Sequence, residues 1–117
     1  MRSLISLMRL IFPPPRWVRS GVPTQPQDAT ARGLDRQVRL AWDPPATTGG
    51  AAITDYVVRY RLQGTTAWVR FQDGVSVALL CQVTGLQNRV AYEFQVAAKN
   101  PRGFGVWSPV LEATPGA

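Results

Sequence analysis

YEFQVAAKN, residues 92–100, alternates inward and outward side chains with period two and lies between the Gly85–Leu86 turn and the segment GFGVWS at residues 103–108. Such alternation predicts a strand with one buried face, here the face carrying Tyr92, Phe94, Val96 and Ala98. The glycines of the following segment indicate a hairpin, because glycine adopts the backbone angles of tight turns. The stretch predicts a turn, a long strand and a returning strand.

Earlier segments show the same alternation. One strand is predicted to face inward with Val38, Leu40 and Trp42, and a second with Tyr56, Val58 and Tyr60. Counting back from Leu86 in odd steps places Leu79, Cys81 and Val83 in the inward row of a third strand. The sequence therefore predicts a sheet protein whose one cysteine is buried.

The sequence carries Trp42 before Pro44-Pro45, the second strand after Gly49-Gly50 and the motifs around residues 85–108. In these features it resembles the fibronectin type III family over Pro23 to Pro115. The resemblance implies an all-β, seven-stranded, immunoglobulin-like sandwich of two sheets. We expect the domain to span residues 23–117, preceded by an extra arm at residues 1–22. Members of this family bind, space and display, and rarely catalyse.

Three aromatic residues have predicted roles at the margins of this sandwich. Tyr92 follows Leu86 by six residues and resembles the tyrosine corner, in which the hydroxyl satisfies a buried backbone group. Trp68 and Trp107 are predicted to cover the edges of the core, since large aromatic side chains are mostly buried. The alternative for the two tryptophans is a platform for a sugar ring.

The chain is basic, with 13 Lys and Arg against 7 Asp and Glu and a formal net charge of +6. Alternation places Arg59, Arg61 and Lys99 on one outward face, with Arg70 nearby, as a basic stripe. The stripe is either a solvated face that reflects GC-rich codon usage or a surface for an anionic glycan or a membrane. Nucleic acid is disfavoured, because the aromatic residues of the strands are predicted to point inward.

Two loops are predicted to meet at one end of the sandwich, Asp43–Gly50 and Asn100–Gly105. Phe104 lies in the second loop between two glycines and close to Arg102. It is predicted either to anchor a protein partner or to cap the open end of the core. Integrin adhesion is not implied, since Phe104 follows Arg102-Gly103 where an Asp would be needed.

Catalysis lacks its usual residues. The sequence has no histidine, and no phosphate loop, dinucleotide fingerprint or paired-cysteine zinc motif occurs. The carboxylates are scattered over different turns and strands: Asp28, Asp35, Asp43, Asp55, Asp73, Glu93 and Glu112. The sequence predicts a protein that is not an enzyme and that needs no cofactor or metal.

The arm has a composition of its own. Its candidate anchoring residues are apolar or aromatic: Leu4, Leu7, Met8, Ile11, Phe12 and Trp17. Residues 1–12 are predicted to form a short amphipathic helix or an extended segment, and Pro13–Pro15 a semi-rigid linker. The arm is too short to span a membrane, and it fits a secretory signal poorly because Arg9 interrupts the apolar run. Three alternatives stay open: a membrane-surface helix, a partner-docking helix, and a disordered tail or upstream reading-frame extension without function.

The resemblance and the arm together suggest two functions. The first is a virion- or tail-associated accessory protein that is anchored by the arm and displays the sandwich, since bacterial modules of this family occur in phage virions and secreted glycosidases. The second is a secreted or surface-displayed module that recognises a glycan or a cell-surface protein. The expected location is accordingly the virion, the extracellular space or the cell surface.

Overall fold

The computed structural model describes residues 21–72 and 74–116. The strands over these residues are β1 (Gln27–Leu34), β2 (Gln37–Asp43), β3 (Asp55–Leu62), β4 (Val69–Phe71), β5 (Leu80–Val83), β6 (Tyr92–Asn100), β7 (Gly103–Phe104) and β8 (Leu111–Ala113). The predicted arm, with its candidate residues Leu4, Leu7, Met8, Ile11, Phe12 and Trp17, lies almost wholly outside them. Within the described ranges, no helix is long and apolar enough to cross a membrane.

The strands form two antiparallel sheets. The smaller sheet has the order β1-β2-β5, and the larger has the order β4-β3-β6-β7, with β8 also paired to β6. Between β7 and β8, Gly105 N donates to Ala98 O and Ser108 N donates to Val96 O, both at 2.8 Å. The two short strands are therefore one interrupted edge strand beside β6. The predicted sandwich is confirmed, with its seventh strand in two pieces.

The core lies between the sheets where alternation predicts it. Its fully buried side chains include Val38, Leu40, Val58, Phe94 and Val96. Trp42 packs on Tyr56 with ring centroids 5.4 Å apart. Cys81 is buried in the same cluster, as predicted.

Tyr92 forms the predicted corner at the lower end of β6. Its ring is buried, and its hydroxyl accepts a hydrogen bond from Gln87 N at 3.0 Å. The same ring lies 6.3 Å from those of Tyr60 and Phe94. The residue therefore joins the turn that precedes β6 to the aromatic part of the core.

Leu79 departs from the prediction of an inward row, because it is 38% exposed and precedes β5. The chain before β5 runs from one sheet to the other: Tyr56 N on β3 donates to Ser76 O, and Trp42 N on β2 donates to Leu79 O. A segment that crosses between sheets does not keep the pleat of either. The inward row of this strand consists of Cys81 and Val83.

Candidate interaction surface

The outer face of the larger sheet carries the predicted basic stripe. Arg59 and Arg61 lie on β3, opposite Gln95 and Glu93 of β6, and Arg70 of β4 lies opposite Arg59. Lys99 lies further along β6, on the same face. Since side chains alternate along a strand, all four cations face away from the core.

Tryptophan rings alternate with the two β3 arginines. The Arg61 guanidinium carbon lies 4.0 Å from the centre of the Trp68 ring, and that of Arg59 lies 4.6 Å from the same ring. Arg59 also lies 4.1 Å from the centre of the Trp107 ring. The order Arg61, Trp68, Arg59, Trp107 forms a cation–π ladder across the sheet, and each contact holds a long side chain in place.

The prediction that Trp68 and Trp107 cover the edges of the core is wrong. Both are half-buried, and neither belongs to the core cluster or packs against it. They cover arginines on the outer face instead. The premise that aromatic residues point inward holds for Tyr56, Tyr92 and Phe94 but fails for these two tryptophans.

Hydrogen bonds fix the ladder further. Arg61 Nε donates to Glu93 Oε1 at 2.7 Å, which makes an ion pair. Arg59 Nε and Nη2 both donate to Gln95 Oε1, at 2.9 and 2.6 Å, and Gln95 Nε2 donates to Ser108 O at 2.8 Å. Burial, together with the charges of Arg61 and Arg70, lowers the pKa of Arg59. The Arg59 charge is thus held against a neutral acceptor, whereas that of Arg61 is matched by a carboxylate.

Phe104 forms a second cluster of cations and a ring, next to the ladder. The Arg70 guanidinium carbon lies 4.9 Å from the centre of its ring, and Lys99 Nζ lies 5.1 Å from it. The Phe104 side chain is 36% exposed and lies outside the core cluster. The structure therefore does not support the alternative that Phe104 caps the core.

The Arg70 side chain crosses the face to reach Phe104, because β4 and β7 lie at opposite edges of the sheet. Val57 of β3 and Ala97 of β6 lie on the same outer face, yet they are only 8% and 0% exposed. Val57 and Arg70 line a shallow open depression together with Asp55 and Val75. The outer face thus has a thin apolar layer of its own beneath the cations.

The two predicted loops meet at the upper end of the sandwich, which we call the loop pole (residues 43–50 and 100–102, with Gly21–Thr24). Asn100 is fully buried, and its Nδ2 donates to Thr48 O and to Gly21 O, both at 2.8 Å. Thr24 N donates to Thr47 O at 3.1 Å. The chain therefore enters the domain between these loops.

Arg102 lies on the loop pole, apart from the other candidate residues. Its backbone N–H donates to Asn100 Oδ1 at 2.8 Å, and its exposed side chain lies against Gly21. The structure thus separates Arg102 from Phe104, Lys99, Arg59 and Arg61, which share the outer sheet face. Sequence reasoning did not place Trp68 and Trp107 there, since the spacing of a strand does not show what lies on its neighbours.

The described residues do not bring together a set of metal-binding side chains. Across residues 21–72 and 74–116, no group of three His, Cys, Asp or Glu side chains could hold a metal ion. The side chains that do converge are cations and aromatic rings, which suits non-covalent binding.

Known proteins similar to this chain share the fold just described. A profile of the Fibronectin type III domain matches residues 24–114. The chain is 29% identical to Neural cell adhesion molecule 1-B of Xenopus laevis over 83% of its length, and 33% identical to Protein sidekick-1 of Gallus gallus over 76%. It spans only 9% and 4% of those two relatives.

A solved structure, the FN5 domain of Drosophila Lar, is similar with a TM-score of 0.66 and 32% identity. The alignment covers 82% of this chain and 100% of that domain. The resemblance seen in the sequence is confirmed by these matches. The chain belongs to the fibronectin type III family.

Proposed function

We propose that this chain is a non-catalytic module that binds a protein partner through the basic–aromatic face, defined as Arg59, Arg61, Trp68, Arg70, Lys99, Phe104 and Trp107. The observation that carries the proposal is that each cation of this face lies against an aromatic ring, which holds its side chain in place. Side chains held in place before binding lose less conformational entropy on binding. Aromatic residues and arginine also dominate the energetics of protein interfaces.

The relatives support a binding role. Fibronectin type III domains are typical of interaction modules in adhesion proteins, and the two relatives compared include a neural cell adhesion molecule. A secreted or surface-displayed location follows from the same likeness and belongs to this proposal. Arg102 would extend the contact from the face onto the loop pole.

The test is binding of the full chain to a panel of purified cell-surface ectodomains and glycans. Phe104→Asp should abolish binding to the protein members, because it places a carboxylate where the partner meets the exposed ring. The double variant Arg32→Gln/Arg39→Gln, on the outer face of the smaller sheet, should bind normally. Binding that Phe104→Asp leaves intact, or binding to glycans alone, would contradict the proposal.

A glycan is the weaker candidate partner for this face. A sugar ring stacks on an open aromatic face, but Trp68 and Trp107 have guanidinium groups against their rings. An anionic glycan would therefore rely on charge alone, and its binding would fall steeply with salt.

A second candidate function is display on a larger assembly, such as a virion or a tail, with residues 1–22 as the anchor and residues 23–117 as the displayed domain. What favours it is the entry of the chain at the loop pole, where Gly21 is bound by Asn100. An anchored arm would then leave the outer sheet faces accessible.

The anchor can be tested in the full chain by Leu7→Asp/Ile11→Asp, with Ser3→Asp/Ser6→Asp as a control of equal charge. Light scattering with and without lipid vesicles should show that the wild-type chain assembles or binds vesicles. Leu7→Asp/Ile11→Asp should abolish this behaviour, and Ser3→Asp/Ser6→Asp should not. Monomers in every sample would refute the anchor.

A further inference from the structure

The outer faces of the two sheets carry equivalent pairs of arginines. Arg59 lies directly opposite Arg70 between β3 and β4, and Arg32 lies directly opposite Arg39 between β1 and β2. Like charges directly opposite each other destabilise a sheet. The chain therefore carries two unfavourable pairs of the same geometry, whose surroundings can be compared.

Only the pair of the larger sheet is held by aromatic rings. Arg59 lies against Trp68 and Trp107, and Arg70 lies against Phe104. Arg32 and Arg39 are both exposed, and no ring of the described residues lies against them. The first pair is thus held by ring contacts, whereas the second is solvated.

Among residues 21–72 and 74–116, no carboxylate forms an ion pair with Arg59, Arg70 or Lys99. The ion pair of this face joins Arg61 to Glu93, while Arg59 bonds neutral Gln95. Asp55 faces Lys99 in the register of β3 and β6, but its carboxylate accepts from Ser76 N at 3.0 Å. The pKa of Arg59 is lowered by burial and by two neighbouring arginines, in keeping with an excess of positive charge.

We propose that Arg70 and Lys99, which lie against Phe104, and Arg59 on the same face bind the carboxylates of an extended acidic segment of the partner protein. This inference rests on the proposed function and specifies the chemistry of the partner. Arginine pairs with a carboxylate through two parallel hydrogen bonds, and Arg59 keeps unused donors for this purpose. The partly exposed ring of Phe104 would receive an apolar side chain beside the carboxylates.

The geometry of an extended segment suits this face. Side chains two residues apart on an extended chain are separated by about 6.8 Å and point to the same side. Neighbouring strands lie about 4.8 Å apart, so cations on β3 and β6 fall within reach of such alternate carboxylates. The tryptophan rings already lie against guanidinium groups, so a sugar cannot stack on the ring faces that these groups cover. The edges of the guanidinium groups stay available to the oxygens of a carboxylate.

The experiment titrates the full chain with a synthetic peptide of repeating Glu-Ser-Glu-Leu, and with the same peptide carrying Gln in place of Glu. Binding is measured by calorimetry and by NMR of the Arg59 Nε–H group. We expect the acidic peptide to bind and to shift that resonance, and the neutral peptide to do neither.

The matched variants are Arg59→Gln/Arg70→Gln and Arg32→Gln/Arg39→Gln, which remove equal charge from equal cross-strand geometry. The first should weaken binding by about tenfold or more, equivalent to about 1.4 kcal/mol, and the second by less than about twofold. Equal losses would overturn the proposal, because they would show attraction by net charge alone. If the double variant does not fold, Lys99→Gln replaces it in the test, and we expect it to weaken binding of the acidic peptide by about threefold.

A sulfated polysaccharide provides the remaining arm of the test. If it binds this face and the acidic peptide does not, the partner class is wrong. If Phe104-dependent binding to a protein ectodomain persists while the acidic peptide fails to bind, this inference is overturned and the proposed function stands.

Discussion

At the scale of single residues, Ser108 shows how one hydroxyl repairs an interrupted strand. Its side chain is 1% exposed, its Oγ accepts from Val96 N at 3.0 Å and donates to Pro109 O at 3.0 Å. A buried N–H left without a partner costs about 1–3 kcal/mol, so this hydroxyl replaces a bond that a regular strand would supply. The gap between β7 and β8 is therefore compatible with a stable edge.

Tyr92→Phe should lower the free energy of unfolding by about 1–3 kcal/mol, because it leaves Gln87 N without its acceptor. Urea unfolding measures the change. Tyr60→Phe is the matched control, since the Tyr60 hydroxyl bonds no other described residue, and it should change stability by less than about 0.5 kcal/mol. Equal effects of the two variants would show that the corner bond is not what stabilises this end of β6.

Tyr56 gives the protein a pH dependence at the alkaline end. Burial raises the pKa of Tyr56 above its ordinary value of 10.0. A group whose pKa is raised in the folded state contributes stability that is complete below its unfolded pKa and is lost as pH rises through the folded pKa. The free energy of unfolding should therefore fall above about pH 10.

The check is the unfolding free energy of the wild type and of Tyr56→Phe measured between neutral and alkaline pH. The variant should lose this part of the alkaline decline, because Phe does not titrate. Curves of identical slope above pH 10 would assign the decline to other groups.

At the scale of elements, β4 is a strand of three residues that pairs only with β3. So short an edge strand gains little from its own ladder of hydrogen bonds. Trp68 precedes it directly and lies against Arg59 and Arg61 of β3. The cation–π ladder thus fastens β4 to the sheet.

Trp68→Ala should destabilise the domain by about 1–2 kcal/mol and speed hydrogen exchange at residues 69–71, because both cation–π contacts are lost. Trp68→Phe keeps a ring and should retain part of the protection. Exchange at β8, on the far side of β6, is the internal control. Unchanged exchange of β4 in Trp68→Ala would mean that backbone pairing alone holds it.

The strand β5 is the exposed edge of the smaller sheet. Leu80 on this strand is 56% exposed, and Val77 and Leu79 are also exposed just before it. Apolar edge strands favour pairing between molecules, and a charged side chain on the edge opposes it.

Leu80→Lys should reduce concentration-dependent light scattering and leave the unfolding midpoint unchanged. Gln82→Lys adds the same charge to the same face of β5 but removes no apolar surface. We therefore expect a smaller reduction from it. Scattering that neither variant alters would place any self-association elsewhere.

The sequence predicted the elements whose side chains alternate between water and core. For β2, β3 and β6 one face packs into the core, so period two identified Trp42, Val58 and Phe94 correctly. It failed at Leu79, where the chain crosses between sheets and the period is lost. The ladder was also missed, because contacts between side chains of β3 and residues 68 and 107 depend on which strands are neighbours.

At the scale of the whole molecule, β1 and the C-terminal segment close one side of the sandwich. Gly116 N donates to Leu34 O at 2.9 Å, and Arg89 N donates to Pro115 O at 2.9 Å. The backbone of Gly33 lies so near Thr114 that a Cβ there would clash with the Thr114 carbonyl oxygen. This close approach requires glycine at residue 33.

Gly33→Ala should destabilise the domain by about 1–3 kcal/mol, because the added methyl forces the C-terminal segment away from β1. Gly116→Ala is the matched control, since a Cβ at residue 116 meets no atom within 4 Å. Thermal and urea unfolding should therefore separate the two variants. A Gly33→Ala protein as stable as Gly116→Ala would show that the segment shifts without cost.

The positions at which the chain enters and leaves the domain have a mechanical consequence. Gly21 is bound by Asn100 at the upper end of β6, whereas Gly116 is bound to the lower end of β1. Tension applied through the two ends therefore runs along the strands, and neighbouring strands must slide past each other before either end is released. Such shear loads many backbone hydrogen bonds at once. The domain should therefore withstand a far larger force when it is stretched between its two ends than when β4 or β5 is peeled from its sheet.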